Sequence, residues 1–273
     1  MSSIVTLEEL IDAGVHFGHR CSRWNPKMAP FIHGKRNSIH LIDLRETVKG
    51  LIRATHFLER VVAAGNEVLI VGTKPQLKKL VKDEATRVGQ HYVAERWLGG
   101  TLTNYQTIRS RLKRLEEIET LEASEEYTRY SKKMISSLNR EKRKLLRNLE
   151  GIRKMNRLPA AVVIIDPHRE HIALKECFKM GIPSVCISDT DSDPSQVDIV
   201  IPGNDDAIRS VQVMLTKLVD AIKLGKTKLD AQRGVTTKGG NVPPPRPTET
   251  PVLADVREPG APAEAPEAPA EQA

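Results

Sequence analysis

The sequence has few features of a secreted, membrane-spanning or disulfide-bonded protein. Its cysteines, Cys21, Cys177 and Cys186, are scattered and none lies in a CxxC pair, so we expect reduced thiols. No apolar run reaches the ~18 residues that a membrane-spanning helix needs. Residues 1–3 lead into an amphipathic segment rather than a basic and then apolar signal region. We therefore expect a cytoplasmic protein that has no membrane partner.

Aromatic residues are also scarce. They make up 4% of the 273 residues, so the core must be built mainly from aliphatic side chains. This length allows one large domain or two medium ones. Lys and Arg (42) outnumber Asp and Glu (35), and the net charge of +7 favours an acidic partner, with nucleic acid first among the candidates.

The positive charge is concentrated in residues 105–157. This segment holds fifteen Lys/Arg and eight Glu without any Asp, so its net charge of +7 equals that of the whole chain. Apolar residues recur at helical spacing in two successive stretches. They are Ile108, Leu112, Leu115, Ile118 and Leu121, then Met134, Leu138, Leu145, Leu149 and Ile152. One narrow apolar stripe on each helix predicts an inserted antiparallel coiled-coil hairpin over 105–157.

The charged faces of this hairpin have two interpretations. They form either a solvated, salt-bridged spacer or a surface that binds a polyanion. The second interpretation predicts RNA binding by five cations of the hairpin. These are Arg109, Arg140, Lys142, Arg143 and Arg147.

A second basic segment, 20–36, has five Lys/Arg and no acidic residue. Pro26 and Pro30 argue against a helix, so we predict an irregular loop. Such a loop suits RNA because its cations meet phosphates, while Trp24 and Phe31 either stack on unpaired bases or anchor the loop to the core. The RNA-binding candidates of this segment are Arg20, Arg23, Trp24, Asn25, Lys27, Lys35 and Arg36.

The motif Arg-Trp-Leu-Gly-Gly-Thr-Leu-Thr-Asn at 96–104 joins the hairpin to the rest of the chain. Its paired glycines allow a sharp backbone turn. Thr103 or Asn104 is expected to cap the first hairpin helix. Further RNA-binding candidates in this joint are Arg96, Thr101 and Asn104.

Strands and helices alternate on both sides of the hairpin. Apolar strands are predicted at 39–43, 68–71, 92–93, 160–165, 184–187 and 198–201, with helices at 7–13, 46–64, 76–88, 170–180 and 208–225. Continuously apolar strands predict a parallel sheet with helices on both faces, so the fold class is α/β. The globular domain would combine 1–104 with 158–229. The Pro/Ala/Glu-rich tail, 230–273, is predicted to be disordered.

No motif specifies a catalyst. Gly72-Thr73-Lys74 follows a strand but lacks the complete phosphate-loop pattern, so we expect a strand-to-helix turn there. Residues 189–193 begin like a calcium loop, yet proline stands where glycine is needed and the closing glutamate is missing. Weak metal-ligand candidates are Asp189, Asp191 and His16. We predict no enzymatic activity, no cofactor and no small-molecule substrate.

Several phrases together resemble one known family. In chain order they are GVHFGH (14–19), RWNPKM (23–28), IDL (42–44), VGTK (71–74), RWLGGTLTN (96–104), IDP (165–167) and IPGNDDAIR (201–209). This set is similar to the signature of the bacterial small-subunit ribosomal protein two family, which is also called the universal small-subunit protein two family. The similarity covers roughly residues 7–224 and leaves the tail uncovered.

The resemblance carries its own expectations. It implies a flavodoxin-like domain with an inserted coiled-coil hairpin, at the ribosome in the cytoplasm. It also implies partners, namely small-subunit rRNA and neighbouring ribosomal proteins, including the large mRNA-capturing protein one. Two other classes remain open from the residues alone. One is an enzyme at the carboxyl ends of the strands, and the other is a protein-only scaffold that dimerises through the hairpin.

Overall fold

The computed structural model describes residues 5–124, 127 and 129–236. The chain divides into two units, Met1–Gly234 and Val235–Ala273. Most of the predicted tail, from residue 237 onward, lies outside the described residues. The division of the first unit into a globular domain and an inserted hairpin stays a prediction. No helix of the described residues combines the length and apolar composition that a membrane crossing needs.

The helices and strands alternate through most of the described chain. The strands are β1 (Phe17–Arg20), β2 (Ile32–Arg36), β3 (Ile39–Ile42), β4 (Val68–Val71), β5 (His91–Val93), β6 (Ala161–Ile165), β7 (Ser184–Ser188) and β8 (Ile199–Pro202). The α-helices are α1 (Leu7–Asp12), α2 (Leu44–Ala63), α3 (Lys78–Arg87), α4 (Tyr105–Ala123), α5 (Lys132–Leu149), α6 (His171–Met180) and α7 (Ile208–Thr236). Short 3₁₀ helices cover Pro26–Phe31, Glu150–Ile152 and Pro194–Gln196.

Five strands form a parallel sheet in the order β5-β4-β6-β7-β8. Numbered within the sheet, this is the flavodoxin-like order 2-1-3-4-5, whose switch point lies between β4 and β6. All residues of β4, β6 and β7 are buried. Burial on both faces explains why these strands are continuously apolar in sequence. The predicted α/β fold class is confirmed.

Helices cover both faces of the parallel sheet. Alternate residues of a strand point to opposite faces, so β4 contributes to two cores. The first core joins Val68 and Ile70 to α2, α3 and α7 through Leu58, Val81 and Leu218. The second joins Leu69 and Val71 to α6, α4 and α5 through Leu174, Ile108 and Leu149. The base of the α4–α5 pair is therefore part of a core of the protein.

The basic segment 20–36 is more regular than predicted. It contains the end of β1, the 3₁₀ helix Pro26–Phe31 and β2, and it forms an antiparallel sheet with β3 in the order β1-β3-β2. The prediction of an irregular loop was wrong because Pro26 starts a 3₁₀ helix, where a missing N–H costs little. The strand predicted at 39–43 belongs to this small sheet and not to the parallel one.

The last helix does not end at Gly225, as the sequence predicted, but continues to Thr236. A Cβ at Gly225 would lie 2.6 Å from the carbonyl oxygen of Glu59 and 3.0 Å from the Cβ of Val62, both in α2. The glycine therefore serves a close approach between two helices. The sequence predicts a helix terminus here because that is the commoner role of glycine after an amphipathic run.

Candidate nucleic-acid interface

The small antiparallel sheet places several predicted RNA-binding cations at the surface. Arg20 of β1 and Arg36 of β2 both lie opposite Ile39 of the central strand β3, so the two side chains share one face. Lys35 precedes Arg36 in β2 and is also exposed, but it lies on the opposite face of the sheet. Arg23 is exposed in the loop after β1. None of these four cations makes an ion pair with the residues that the structure describes.

The loop after β1 is tied to the carboxyl ends of the parallel strands. Asn25 caps the 3₁₀ helix by accepting a hydrogen bond from the amide of Lys27 at 3.0 Å, and its own amide donates to the carbonyl of Thr190 at 2.8 Å. The ammonium of Lys27 pairs with Asp193 at 2.8 Å. Trp24 is 40% exposed and its ring lies 5.2 Å from that of His40. The charges of Lys27 and Asp193 are therefore mutually satisfied, whereas Trp24 leaves part of its ring free.

The joint at 96–104 contains both exposed and buried RNA-binding candidates. Arg96 is exposed. Thr101 is buried, and its hydroxyl donates to the carbonyl of Leu98, which does not favour a contact with RNA. Asn104 is exposed, but it does not cap α4 through its side chain as predicted. Its Oδ1 instead accepts a hydrogen bond from the hydroxyl of Thr107 at 2.9 Å.

A residue that sequence reasoning missed, Glu176 of α6, holds this joint in place. Its carboxylate accepts hydrogen bonds from Trp97 Nε1 at 3.0 Å and from the amides of Gly100, Leu102 and Thr103 at 2.8, 2.9 and 3.2 Å. Burial raises the pKa of Glu176, but the donors, led by Trp97, outweigh it, and the pKa is lowered overall. The available signal was a glutamate on the apolar face of α6, between Leu174 and Cys177.

Helices α4 and α5 run side by side in opposite directions. Near their shared base, Arg109 donates to the carbonyl of Asn156 at 3.1 Å, while farther out Lys142 pairs with Glu122. The predicted seam is buried at Ile108, Leu112, Leu115, Ile118, Leu138 and Leu149. Met134 was predicted to lie in the seam but is 48% exposed. The knobs-into-holes packing of a coiled coil stays a prediction.

Some cations of residues 105–157 are engaged by other groups of the same segment. Lys142 pairs with Glu122, and Arg153 pairs with Glu119 at 2.6 Å. Arg143 donates to a backbone carbonyl of its own helix, that of Asn139. These three cations therefore make their contacts within the hairpin. Lys142 in particular, although predicted to bind RNA, is engaged by α4.

Other cations of α5 point away from α4 and form a continuous row. At 100° per residue, Lys133, Arg140, Lys144 and Arg147 fall within an arc of about 60°, on the side opposite Leu138 and Leu149. We call these four residues the outer row, which is about 21 Å long at 1.5 Å per residue. The first three make no ion pair with any described residue. Arg147 is 71% exposed and only approaches Glu95, at 3.9 Å.

A separate charged cluster lies at the carboxyl ends of the parallel strands. Lys74 follows β4, and its ammonium lies 2.9 Å from Asp166 after β6 and 2.7 and 2.8 Å from Asp205 and Asp206 after β8. Burial lowers the pKa of Lys74, but the three carboxylates outweigh it and raise the pKa overall. A buried lysine in this position has no ammonium left for a phosphate group, so the phosphate-loop interpretation is not supported.

The same cluster connects the small sheet to the parallel sheet through His19 of β1. Its Nδ1 lies 2.9 Å from Asp189, and its Nε2 lies 3.8 Å from Asp191 and 3.6 Å from Asp206. The hydrogen bond to Asp189 raises the pKa of His19 to about 9, against the effect of burial. His19 is therefore protonated near neutral pH and balances part of the acidic charge.

The weak metal-ligand candidates do not form one group. Asp189 and Asp191 join the cluster, but His16 lies apart, with its ring 4.0 Å from that of Phe17. The described residues whose ligand atoms could share an ion are His19, Asp205 and Asp206. The ammonium of Lys74 already lies at hydrogen-bonding distance from both of those aspartates. Lys74 and His19 thus offset part of the acidic charge of the cluster.

Comparison with known proteins gives consistent matches. The family model described as Ribosomal protein S2 matches residues 10–225. A protein of Rhodopirellula baltica, Small ribosomal subunit protein uS2, is 57% identical over 220 residues, which are 81% of this chain and 85% of that protein. A protein of the same name from Lawsonia intracellularis is 52% identical over 218 residues, covering 80% of this chain and 75% of that protein.

Proposed function

The chain belongs to the ribosomal protein S2 family, and from this premise we propose that it binds small-subunit rRNA through two surfaces. One surface is the outer row of α5. The other is the exposed cationic surface of the small sheet and of the loop after β1, with Arg20, Arg23, Lys35 and Arg36. The family is structural and non-enzymatic, so the alternative of an enzyme at the strand ends is rejected. The chain then acts in translation as a component of the small ribosomal subunit, in the cytoplasm.

The observation that carries the proposal is the division of the hairpin's cations into two groups. One group, Arg114, Lys142 and Arg153, pairs with glutamates of the hairpin, as in the pair Arg153–Glu119. Those of the outer row remain exposed along about 21 Å of one helix face. Arg and Lys side chains without acidic partners are the groups that contact phosphates in nucleic-acid complexes. A salt-bridged spacer would have glutamates in this row as well.

The contacts should position the RNA and not read its sequence. Phosphate contacts from a row of cations on a rigid helix fix register and orientation, whereas sequence is read at base edges. Trp24, which leaves part of its ring free beside Arg23, is the described side chain in this region best suited to stack on an unpaired base. Neighbouring ribosomal proteins, including the large mRNA-capturing protein one, are the proposed protein partners.

The test replaces three cations of the outer row, Lys133→Glu, Arg140→Glu and Lys144→Glu, in one variant. We expect this variant to be depleted from small subunits when a cell lysate is sedimented at low magnesium and the protein is followed by antibody. Its matched control makes the same charge change at Arg53, Lys79 and Lys223, which are exposed on other helices and make no ion pair with described residues. Equal incorporation of the two variants would contradict the role of the outer row.

The remaining alternative, a protein-only scaffold, is separated by nuclease. Treating the lysate with ribonuclease before sedimentation should release the chain from its large complex if RNA holds it there. A scaffold assembled by hairpin dimerisation would stay in its complex.

A further inference from the structure

Helix α6 carries an exposed surface that the proposed RNA contacts do not include. Its buried face holds Ala173, Leu174, Glu176 and Cys177. At 100° per residue, the opposite side of the helix falls within an arc of about 120°. The residues on that side are His171, Ile172, Lys175, Phe178 and Lys179, and all are exposed. We call this set the α6 outer face.

Charge is segregated across this helix. The two glutamates of the segment point inward, where Glu170 accepts hydrogen bonds from Thr73 and Glu176 holds the joint. The two lysines point outward, and neither ammonium makes an ion pair with a described residue. Lys175 and Lys179 are four residues apart on one face, a spacing at which like charges destabilise a helix.

An exposed aromatic ring lies next to Lys175 on this face. Phe178 is 63% exposed, the largest fraction among the exposed large apolar side chains of the described residues. The protein has only four phenylalanines, so aromatic surface is scarce in it. Phe178 follows Lys175 by three residues, so these two side chains are neighbours on the helix surface, and Lys179 lies on the far side of Lys175 on the same face. A ring with this exposure contributes little to the core beneath it.

We propose that the α6 outer face binds a single-stranded or unpaired segment of RNA, with a base stacked on Phe178 and phosphates held by Lys175 and Lys179. Aromatic rings next to cations are the common means of binding unpaired nucleotides. A protein partner fits less well because protein–protein interface cores are depleted of lysine. The proposal rests on the proposed function in one respect, since it takes the RNA to be that of the small subunit.

The surface is separate from the other proposed contacts. The outer row lies on α5 and the cationic surface of the small sheet lies on β1, β2 and the loop after β1, whereas α6 follows β6. It is connected to the base of the hairpin through the buried face of α6, where Glu176 binds the joint and Leu174 belongs to the second core. RNA bound here would therefore meet the globular part of the chain beside the base of the hairpin.

The experiment places a photo-crosslinking residue, p-benzoylphenylalanine, at position 178 of the full chain and irradiates purified small subunits. We expect a ribonuclease-sensitive adduct between the chain and rRNA. The control places the same residue at position 224, where the leucine is 58% exposed on α7, and should give no RNA adduct. The change of Lys175→Glu together with Lys179→Glu should abolish the adduct from position 178.

The outcomes separate this inference from the proposed function. An adduct with protein alone, or no adduct, from chains that are incorporated in small subunits would overturn the α6 inference and leave the proposed function standing. An RNA adduct of equal yield from positions 178 and 224 would also overturn it, because contact would then not be specific to α6. Failure of the unmodified chain to enter small subunits would overturn both.

Discussion

Replacing Glu176 by glutamine tests whether one carboxylate holds the joint between α6 and the α4–α5 pair. Oε1 accepts from Trp97 Nε1 and the Gly100 amide, while Oε2 accepts from the amides of Leu102 and Thr103. Glutamine has one carbonyl oxygen and one NH₂ group in these positions. In either orientation of the amide, two N–H donors face an NH₂ group and lose their acceptor.

The expected loss of stability follows from those donors. A buried donor left unpaired costs about 1–3 kcal/mol, and hydrogen bonds to a charged acceptor are at the stronger end. The hydrogen bonds from Trp97 and Leu102 are buried, and those from Gly100 and Thr103 are partly buried. We therefore expect Glu176→Gln to lower the free energy of unfolding by about 2–4 kcal/mol in urea denaturation.

Two further measurements distinguish the joint from a general effect. Hydrogen exchange at the amides of Gly100, Leu102 and Thr103 should accelerate more than exchange in β6. The control Glu117→Gln removes an exposed carboxylate that pairs with Arg114 three residues earlier, and should cost less than about 1 kcal/mol. Unchanged stability and unchanged exchange in Glu176→Gln would refute the reasoning.

The pH dependence of stability tests the role of the Glu176 carboxylate and needs no variant other than Glu176→Gln. The donors lower the pKa of Glu176 from its ordinary 4.5 even though burial acts in the opposite direction. Its contribution is therefore complete above pH 4.5 and is lost as the pH falls through the lowered pKa. The acid side of the stability profile should be shallower in Glu176→Gln than in the unmodified protein.

Three other outcomes are expected. If three cations of the outer row each neutralise one phosphate, raising salt from about 50 to about 200 mM should lower RNA affinity about 40-fold in a filter-binding titration, and a flat response would contradict phosphate binding. The hydrogen bond to Asp189 raises the pKa of His19 from 6.5 to about 9, so the stability that His19 contributes is complete below pH 6.5 and is lost as the pH rises toward 9. The urea midpoint of the unmodified protein should therefore fall over this pH range, and that of His19→Gln should not. An equal fall in both proteins would show that another group causes it. A Cβ at Gly50 would lie 2.5 Å from the carbonyl oxygen of Val200. Gly50→Ala should therefore lower the free energy of unfolding by about 1–2 kcal/mol in calorimetry, although alanine has the better helix propensity. A higher free energy of unfolding would show that α2 can move away from β8.

Local patterns in the sequence were sufficient for the elements of the fold. Five consecutive buried residues in β6 read as an uninterrupted apolar run, and the repeated leucines and isoleucines of α4 read as a helix stripe. Both patterns depend only on the period of the backbone, which is a local property. This dependence on local pattern also explains the error at Gly225. A glycine that ends a helix cannot be distinguished by sequence alone from a glycine that lets two helices approach each other.

The sequence by itself therefore determined the fold class, the place of the hairpin helices and the concentration of positive charge in 105–157. Only the tertiary structure decided which of those charges are free. Lys142 is paired with Glu122 across the two helices, while Lys144, two residues later, belongs to the outer row. The reason is that an ion pair depends on which side chains the chain topology brings within a few ångströms, and composition carries no record of that.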